Sequence, residues 1–266
     1  MSPTPPVALT IAGSDSSGGA GLQADLRTFA ALRVHAVCAL TLVSSQNTAE
    51  FRSAVPMPPG MVLSQIEAVL ADLPVAATKT GLLFTEANIN AVATIAEHGR
   101  LPLLVVDPVL VGMGGRRLYD PDAERLVAER LVPQARVLTP NHLEAGLLLD
   151  RQLEPEPAVL EAAARELAER GPEVVVITGG RASGDESFDV ALLGDELVTY
   201  ASPRIDTPNV RGSGDTLSAA ITAELARGAS VREALDRAHR FTSAALAVGA
   251  TWRLGSGQGP LGHFEV

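Results

Sequence analysis

The sequence holds little that would suit life outside a reducing compartment or inside a lipid bilayer. Cys38 is the only cysteine among 266 residues, so no disulfide can close within the chain. It sits in an apolar, strand-like run and reads as a buried, inert thiol. No apolar stretch reaches membrane-spanning length, and residues 1–6 carry neither a basic segment nor a hydrophobic run of the signal-peptide kind. Cytoplasm is the expected setting. Aromatic residues make up only 3% of the chain against 46% hydrophobic residues, so Ala, Val and Leu must fill the core. Positive charge is scarce as well, with a net charge of −10, which argues against a general nucleic-acid or anionic-membrane binder. Anionic ligands would need a local positive site. Lys79 is the single lysine among the 21 basic residues, a skew that reads as genome composition rather than chemistry.

Several catalytic signatures are missing too. The histidines at 35, 98, 142, 239 and 263 have no close ligand spacing, which speaks against zinc. No Gly-x-Ser-x-Gly elbow marks a hydrolase nucleophile. The glycine-rich stretch 13–21 lacks the Gly-Lys-Ser/Thr ending of a Walker A loop and the acidic residue that completes a dinucleotide fingerprint.

What is present is alternation. Strands are expected over 7–12, 34–44, 51–55, 76–80, 103–106, 135–139 and 173–178, with a hairpin of 188–193 and 196–201 around Gly194-Asp195. Helices are expected over 21–32, 61–73, 85–98, 121–131, from 141, and over 157–170, 213–227 and 230–249, ahead of a glycine-rich loop over 253–266. With no linker or repeat in between, this pattern implies a single α/β domain over 1–266, a three-layer α/β/α sandwich around a mostly parallel sheet. Ligands of such sheets collect at the carboxyl ends of the strands.

The stretch 209–220, Asn-Val-Arg-Gly-Ser-Gly-Asp-Thr-Leu-Ser-Ala-Ala, organises the rest. Gly212 and Gly214 let the backbone turn and come close to a ligand, and the helix behind them offers unpaired N–H groups to a phosphate or a nascent oxyanion. Asp215 falls in the first turn, where a phosphotransferase could keep a base for a substrate hydroxyl. The same four residues also fit an ordinary helix entry, with Ser213 as cap and Asp215 on the dipole.

Other candidates lie at strand ends. The 103–106 strand stops at the carboxylate of Asp107. Gln46, in Ser-Gln-Asn-Thr, is placed either to meet a small molecule or to brace a turn. Asn141 and Glu144 share a helix face and could both reach one metal-bound phosphate, and the same spacing makes a capping box.

In this order the segments resemble the ribokinase superfamily, and most closely its hydroxymethylpyrimidine and phosphomethylpyrimidine kinases of thiamin biosynthesis. The likeness rests on Thr10-Ile11-Ala12-Gly13-Ser14-Asp15, the 18–25 segment, Gln46-Asn47-Thr48, Lys79-x-Gly81, Val106-Asp107-Pro108-Val109, Thr139-Pro140-Asn141-x-x-Glu144, Gly179-Gly180, Gly212-x-Gly214 with 216–220, and Gly259-Pro260-Leu261-x-His263. It covers nearly the whole chain.

The resemblance implies ATP-dependent phosphorylation of 4-amino-5-hydroxymethyl-2-methylpyrimidine and then of its monophosphate, with Mg²⁺, commonly as a homodimer. Carried onto this chain, it puts Gln46, Gly13, Asp25 and Val109 on the substrate side. Asn141, Glu144, Thr178, Gly180 and Arg211 fall on the ATP side, Asp107 and Glu144 near the metal, and Gly212, Gly214 and Asp215 at the transfer itself.

Three departures stand out. Asp215 takes the place of the cysteine usual in the thiamin branch and supplies the superfamily's usual base. Thr178 stands where the family has lysine, and Arg211 where it has histidine, so Arg211 is expected to replace the lost cation by touching phosphate. Asp215 keeps a pyridoxal or pyridoxine kinase open as an alternative. The missing lysine keeps open a non-catalytic pyrimidine- or nucleotide-binding protein.

Overall fold

The structure is a computed structural model and describes residues 4–179 and 186–264. In chain order the elements are β1 (Val7–Ser14), α1 (Gly21–Ala31), β2 (His35–Gln46), β3 (Phe51–Pro56), α2 (Pro59–Asp72), β4 (Val75–Thr80), α3 (Glu86–Glu97), β5 (Val105–Val106) and α4 (Pro121–Leu126). There follow β6 (Val137–Leu138), α5 (His142–Leu148), α6 (Pro157–Ala168), β7 (Val174–Thr178), β8 (Glu186–Leu193), β9 (Glu196–Pro203), α7 (Ser213–Ala226) and α8 (Val231–Ala250).

The strands form one nine-stranded sheet in the order β3-β2-β1-β4-β5-β6-β7-β8-β9. From β2 to β7 the neighbours run parallel, while β3, β8 and β9 pair antiparallel. Strand periodicity divides the apolar side chains between two layers. Leu9, Ile11, Val106, Leu138, Val175 and Ile177 pack beneath the layer that holds α2 to α6. Ala8, Ala77, Val105, Val137, Val174 and Val176 pack beneath α1, α7 and α8. The expected three layers and mostly parallel sheet are therefore present. Among the described residues no helix is long and apolar enough to cross a membrane.

Three local expectations are corrected. The central strands β5 and β6 have only two residues each, and Leu103 holds φ at +43°, a conformation that ends extended pairing. The helix expected over 121–131 is α-helical only to Leu126; a wider π-helical turn (Val127–Leu131) and a 3₁₀ turn (Val132–Gln134) follow, containing Pro133, which has no amide proton to continue the ladder. Cys38 is exposed rather than buried, because β2 lies one strand in from the sheet edge and that side chain is left uncovered.

Candidate active site

The carboxyl ends of β5, β6 and β7 meet the amino-terminal turn of α7 in one cleft. Asp107, Val109, Val111, Thr139, Asn141, Glu144, Thr178, Gly212, Ser213, Gly214 and Asp215 line it. Eight residues singled out in the sequence thus come together: Asp107, Val109, Asn141, Glu144, Thr178, Gly212, Gly214 and Asp215.

Each is held by its own local structure. Gly212 caps α7 at φ +80°, left-handed backbone that suits a residue without a Cβ. Gly214 has open space where a Cβ would go. The first N–H groups of α7 therefore face the cleft unobstructed. Asp215 lies in that first turn with 16% of its side chain exposed, the acid at the rim. Asp107 follows β5, its Oδ2 accepting a 2.8 Å hydrogen bond from Ser218 Oγ, one turn along α7 from Asp215. Val109 holds φ at +39°, strained for a β-branched residue, and its amide faces the Asp107 carboxylate.

Asn141 and Glu144 fulfil both readings of their spacing. The Asn141 side chain accepts the N–H groups of Leu143 and Glu144, Glu144 Oε2 accepts the Asn141 N–H at 3.0 Å, and both residues line the cleft. A backbone bridge to Asn141 brings Thr178 alongside. Glu144 Oε1 also accepts the Val111 N–H at 3.2 Å. Burial, and then the neighbouring Asp107 carboxylate, raise Glu144 to about 8. Burial likewise raises Asp107 to about 6, against the pull of Lys79.

The remaining candidates lie elsewhere. Asp25 is fully buried behind the cleft, bonded by Thr10 Oγ1 at 2.6 Å and paired with Lys79, so its carboxylate is spent on structure rather than turned to a ligand. Gly13 is buried in β1, and the Leu42 side chain occupies the space of a Cβ, so its bareness serves packing. Gln46 is half-buried at the end of β2, away from the cleft lining, and its main chain exchanges hydrogen bonds with Ser16 Oγ. Arg211 departs most from expectation. It does not line the cleft; its Nε lies 2.9 Å from Asp15 Oδ2, in a pair that is almost fully buried. Asp15 in turn accepts the N–H groups of Ser17 and Ala20, so Arg211 ties the glycine-rich 15–20 loop to the turn before α7. Gly180 lies outside the described residues.

Sequence reasoning missed Lys79, Ser218 and Thr139. Lys79 is wholly buried, with Nζ within 3.8 Å of carboxylate oxygens of Asp25, Asp107 and Asp215. Two signals point to it, its uniqueness in the composition and its place in Lys79-x-Gly81, and neither assigns it a role.

A glycine-lined helix start with an acid beside it, at the carboxyl edge of a parallel sheet, can cradle a migrating phosphoryl group while the acid takes a proton. Fold and cleft together define the class: a ribokinase-like phosphotransferase for a small molecule. A solved ADP complex of Bacillus subtilis pyridoxal kinase matches with a TM-score of 0.91 at 37% identity, over 98% of each chain. The family model for phosphomethylpyrimidine kinase matches residues 15–262. A Synechococcus elongatus protein named hydroxymethylpyrimidine/phosphomethylpyrimidine kinase is 44% identical over 97% of each chain. A Mycobacterium bovis protein of the same name is 43% identical over 97% of this chain and 94% of its own. The chain belongs to the phosphomethylpyrimidine kinase family and is a kinase.

Proposed function

We propose that this kinase moves the γ-phosphoryl group of ATP onto the hydroxymethyl oxygen of 4-amino-5-hydroxymethyl-2-methylpyrimidine, and then phosphorylates the monophosphate so formed. The observation that carries phosphoryl transfer is the Asp215 carboxylate at the rim of the Gly212–Gly214 turn, in the first turn of α7, and the pyrimidine as acceptor is supported by the family match over 15–262. In the first transfer Asp215 accepts the hydroxyl proton, the substrate oxygen bonds to the γ-phosphorus, and the bond from that phosphorus to the ADP oxygen breaks. The N–H groups that open α7 hold the phosphoryl oxygens throughout. Gln46, at the end of β2, would meet the pyrimidine from outside the cleft lining, and Asn141, Glu144 and Thr178 would stand on the nucleotide side.

The charge of the cleft supports a divalent cation. Its described lining carries the carboxyl groups of Asp107, Glu144 and Asp215 and neither Lys nor Arg, so the lining itself offers a triphosphate no cation. Mg²⁺ held by Asp107 and Glu144 would supply the missing positive charge for the phosphates. Among the described residues no group of three or more His, Cys, Asp or Glu is arranged to hold a metal, so phosphate and water would have to complete the coordination of such an ion.

Two settings complete the proposal. ATP as donor suits the cytoplasm. A homodimer is supported by the outer strand β3, where Phe51 and Val55 are exposed on an unpaired sheet edge; size-exclusion chromatography with light scattering tests it.

A second reading, pyridoxal kinase, is favoured by Asp215 in place of the thiamin branch's cysteine and by the likeness to the Bacillus subtilis enzyme. Mass-spectrometric product analysis with ATP, Mg²⁺ and either the hydroxymethylpyrimidine or pyridoxal decides between them. Mono- and diphosphorylated pyrimidine are expected. Phosphorylated pyridoxal alone would overturn the proposal, and binding without ADP release would make the protein a non-catalytic binder.

A further inference from the structure

Lys79 is the next-to-last residue of β4, in register with Thr10 of β1 and Val105 of β5. Strand alternation puts it on the same face as Ala77, which packs beneath α1 and α7. Its four-carbon stem therefore runs between sheet and helices with no route to water, and the side chain is 0% exposed. At its end three carboxylates from three elements converge. Nζ lies 2.8 and 3.0 Å from the two oxygens of Asp25 on α1, 3.5 Å from Asp215 Oδ1 on α7, and 3.8 Å from Asp107 Oδ2 after β5. Burial opposes the lysine's charge, but the carboxylates of Asp25, Asp215 and Asp107 outweigh it and raise its pKa, so it remains an ammonium.

The four groups divide in two. Asp25 faces away from the cleft, closed off by Thr10 Oγ1 and Lys79, and anchors the ammonium from behind. Asp107 and Asp215 line the cleft itself. A lysine needed only to satisfy Asp25 would not have to reach them. Two carboxylates converging on one buried point repel one another, and the lone cation between them opposes that repulsion. Ser218 fixes Asp107 from the far side. Among the described residues the Asp215 carboxylate has one ion-pair partner, this ammonium, together with its place in the first turn of α7.

We infer that Lys79 is a positioning residue for phosphoryl transfer, holding the Asp215 carboxylate in place at the rim of the glycine turn. The inference rests on Asp215 being the base. It makes the chain's only lysine a part of the catalytic apparatus, though one that touches neither substrate.

Turnover in two backgrounds tests it. Lys79→Met alone strands the buried Asp25 charge, so Lys79→Met is combined with Asp25→Asn, which removes the charges of the buried pair together and keeps the chain foldable; melting confirms that it folds. With Asp215 present, the combined variant is expected to lose on the order of 10–100-fold in kcat, the cost of a misplaced catalytic group. KM for ATP should stay near that of the unaltered enzyme. In an Asp215→Asn background the same change should cost less than about twofold, because there is no longer a base to position. Equal losses in both backgrounds would mean a general disturbance of the fold and overturn the inference. So would undiminished kcat in the combined variant while Asp215→Asn alone is crippled. Near-normal kcat in Asp215→Asn would instead sink the base assignment, and this inference with it.

Discussion

The carbonyl oxygen of Gly19 sits where a Cβ on Gly212 would have to be, and Gly212 also holds a positive φ. Loop 15–20 and the turn before α7 are thus in backbone contact. Gly214, two residues on, has nothing within 4 Å of its own Cβ position. Gly212→Ala should therefore destabilise the fold, by about 1–2 kcal/mol for the left-handed backbone alone and more for the collision. Gly214→Ala should melt no lower than the unaltered protein, since Ala gains about 1 kcal/mol over Gly within a helix. Its methyl group would nonetheless intrude on the phosphate cradle and lower kcat/KM for ATP by about tenfold or more. Melting curves alongside steady-state kinetics separate the two effects.

Asp215→Asn should lower kcat by about 100-fold or more, the scale for losing a general base. Its melting temperature should move little, because the Lys79 ammonium keeps the Asp25 and Asp107 carboxylates as partners and an acid in the first turn of a helix stabilises by only about 0.3–1 kcal/mol. Near-normal turnover would reduce Asp215 to a partner of the helix dipole.

Arg211→Ala tests a role different from the phosphate contact expected of a cation in this motif. Arg211 and Asp15 form a pair with side chains 7% and 3% exposed, and breaking such a pair costs about 3–5 kcal/mol. A clear drop in melting temperature is expected, together with a raised KM for the hydroxymethyl substrate, because the 15–20 loop loses its tie to the α7 turn. KM for ATP should change little. A selective rise in KM for ATP would restore the phosphate assignment.

His263 gives a pH signature. Its Nε2 lies 2.9 Å from Thr216 Oγ1, and burial, followed by the nearby Arg27, lowers its pKa to about 4. The unfolded chain takes up this proton near pH 6.5, before the folded one does, so stability is lost as pH falls from about 6.5 to 4, by up to about 3 kcal/mol. The buried carboxyls with raised pKa, Asp25, Asp107 and Glu144, work in the opposite sense, losing stability as pH rises. The difference between the unaltered chain and His263→Gln isolates the histidine. Denaturant titrations from pH 4 to 8 should show the unaltered protein falling more steeply on the acid side.

Most of the site was legible because it lies where short-range rules apply. Gly212, Gly214 and Asp215 follow from the angles of a glycine turn and the unpaired amides of a helix start. Asp107 follows from an apolar run ending in a carboxylate, and Asn141 with Glu144 from a helical spacing that the cleft and the cap both use. Asp25, Arg211 and Lys79 were misjudged or passed over for one shared reason: each is defined by a partner far along the chain. Arg211 meets Asp15 across 196 positions, and Lys79 meets Asp25 across 54.

The alternation of apolar strands and amphipathic helices was enough, read by itself, to determine the layered α/β class, the sheet edge where ligands gather and the glycine turn that opens α7. These depend on periodicity and backbone freedom, which are properties of neighbouring residues. Only the tertiary structure decided which charges are paired. Burying an ion demands an opposite charge within a few ångströms, and the parallel crossovers of the sheet, not distance along the chain, bring Asp25, Asp107 and Asp215 to the one ammonium of Lys79.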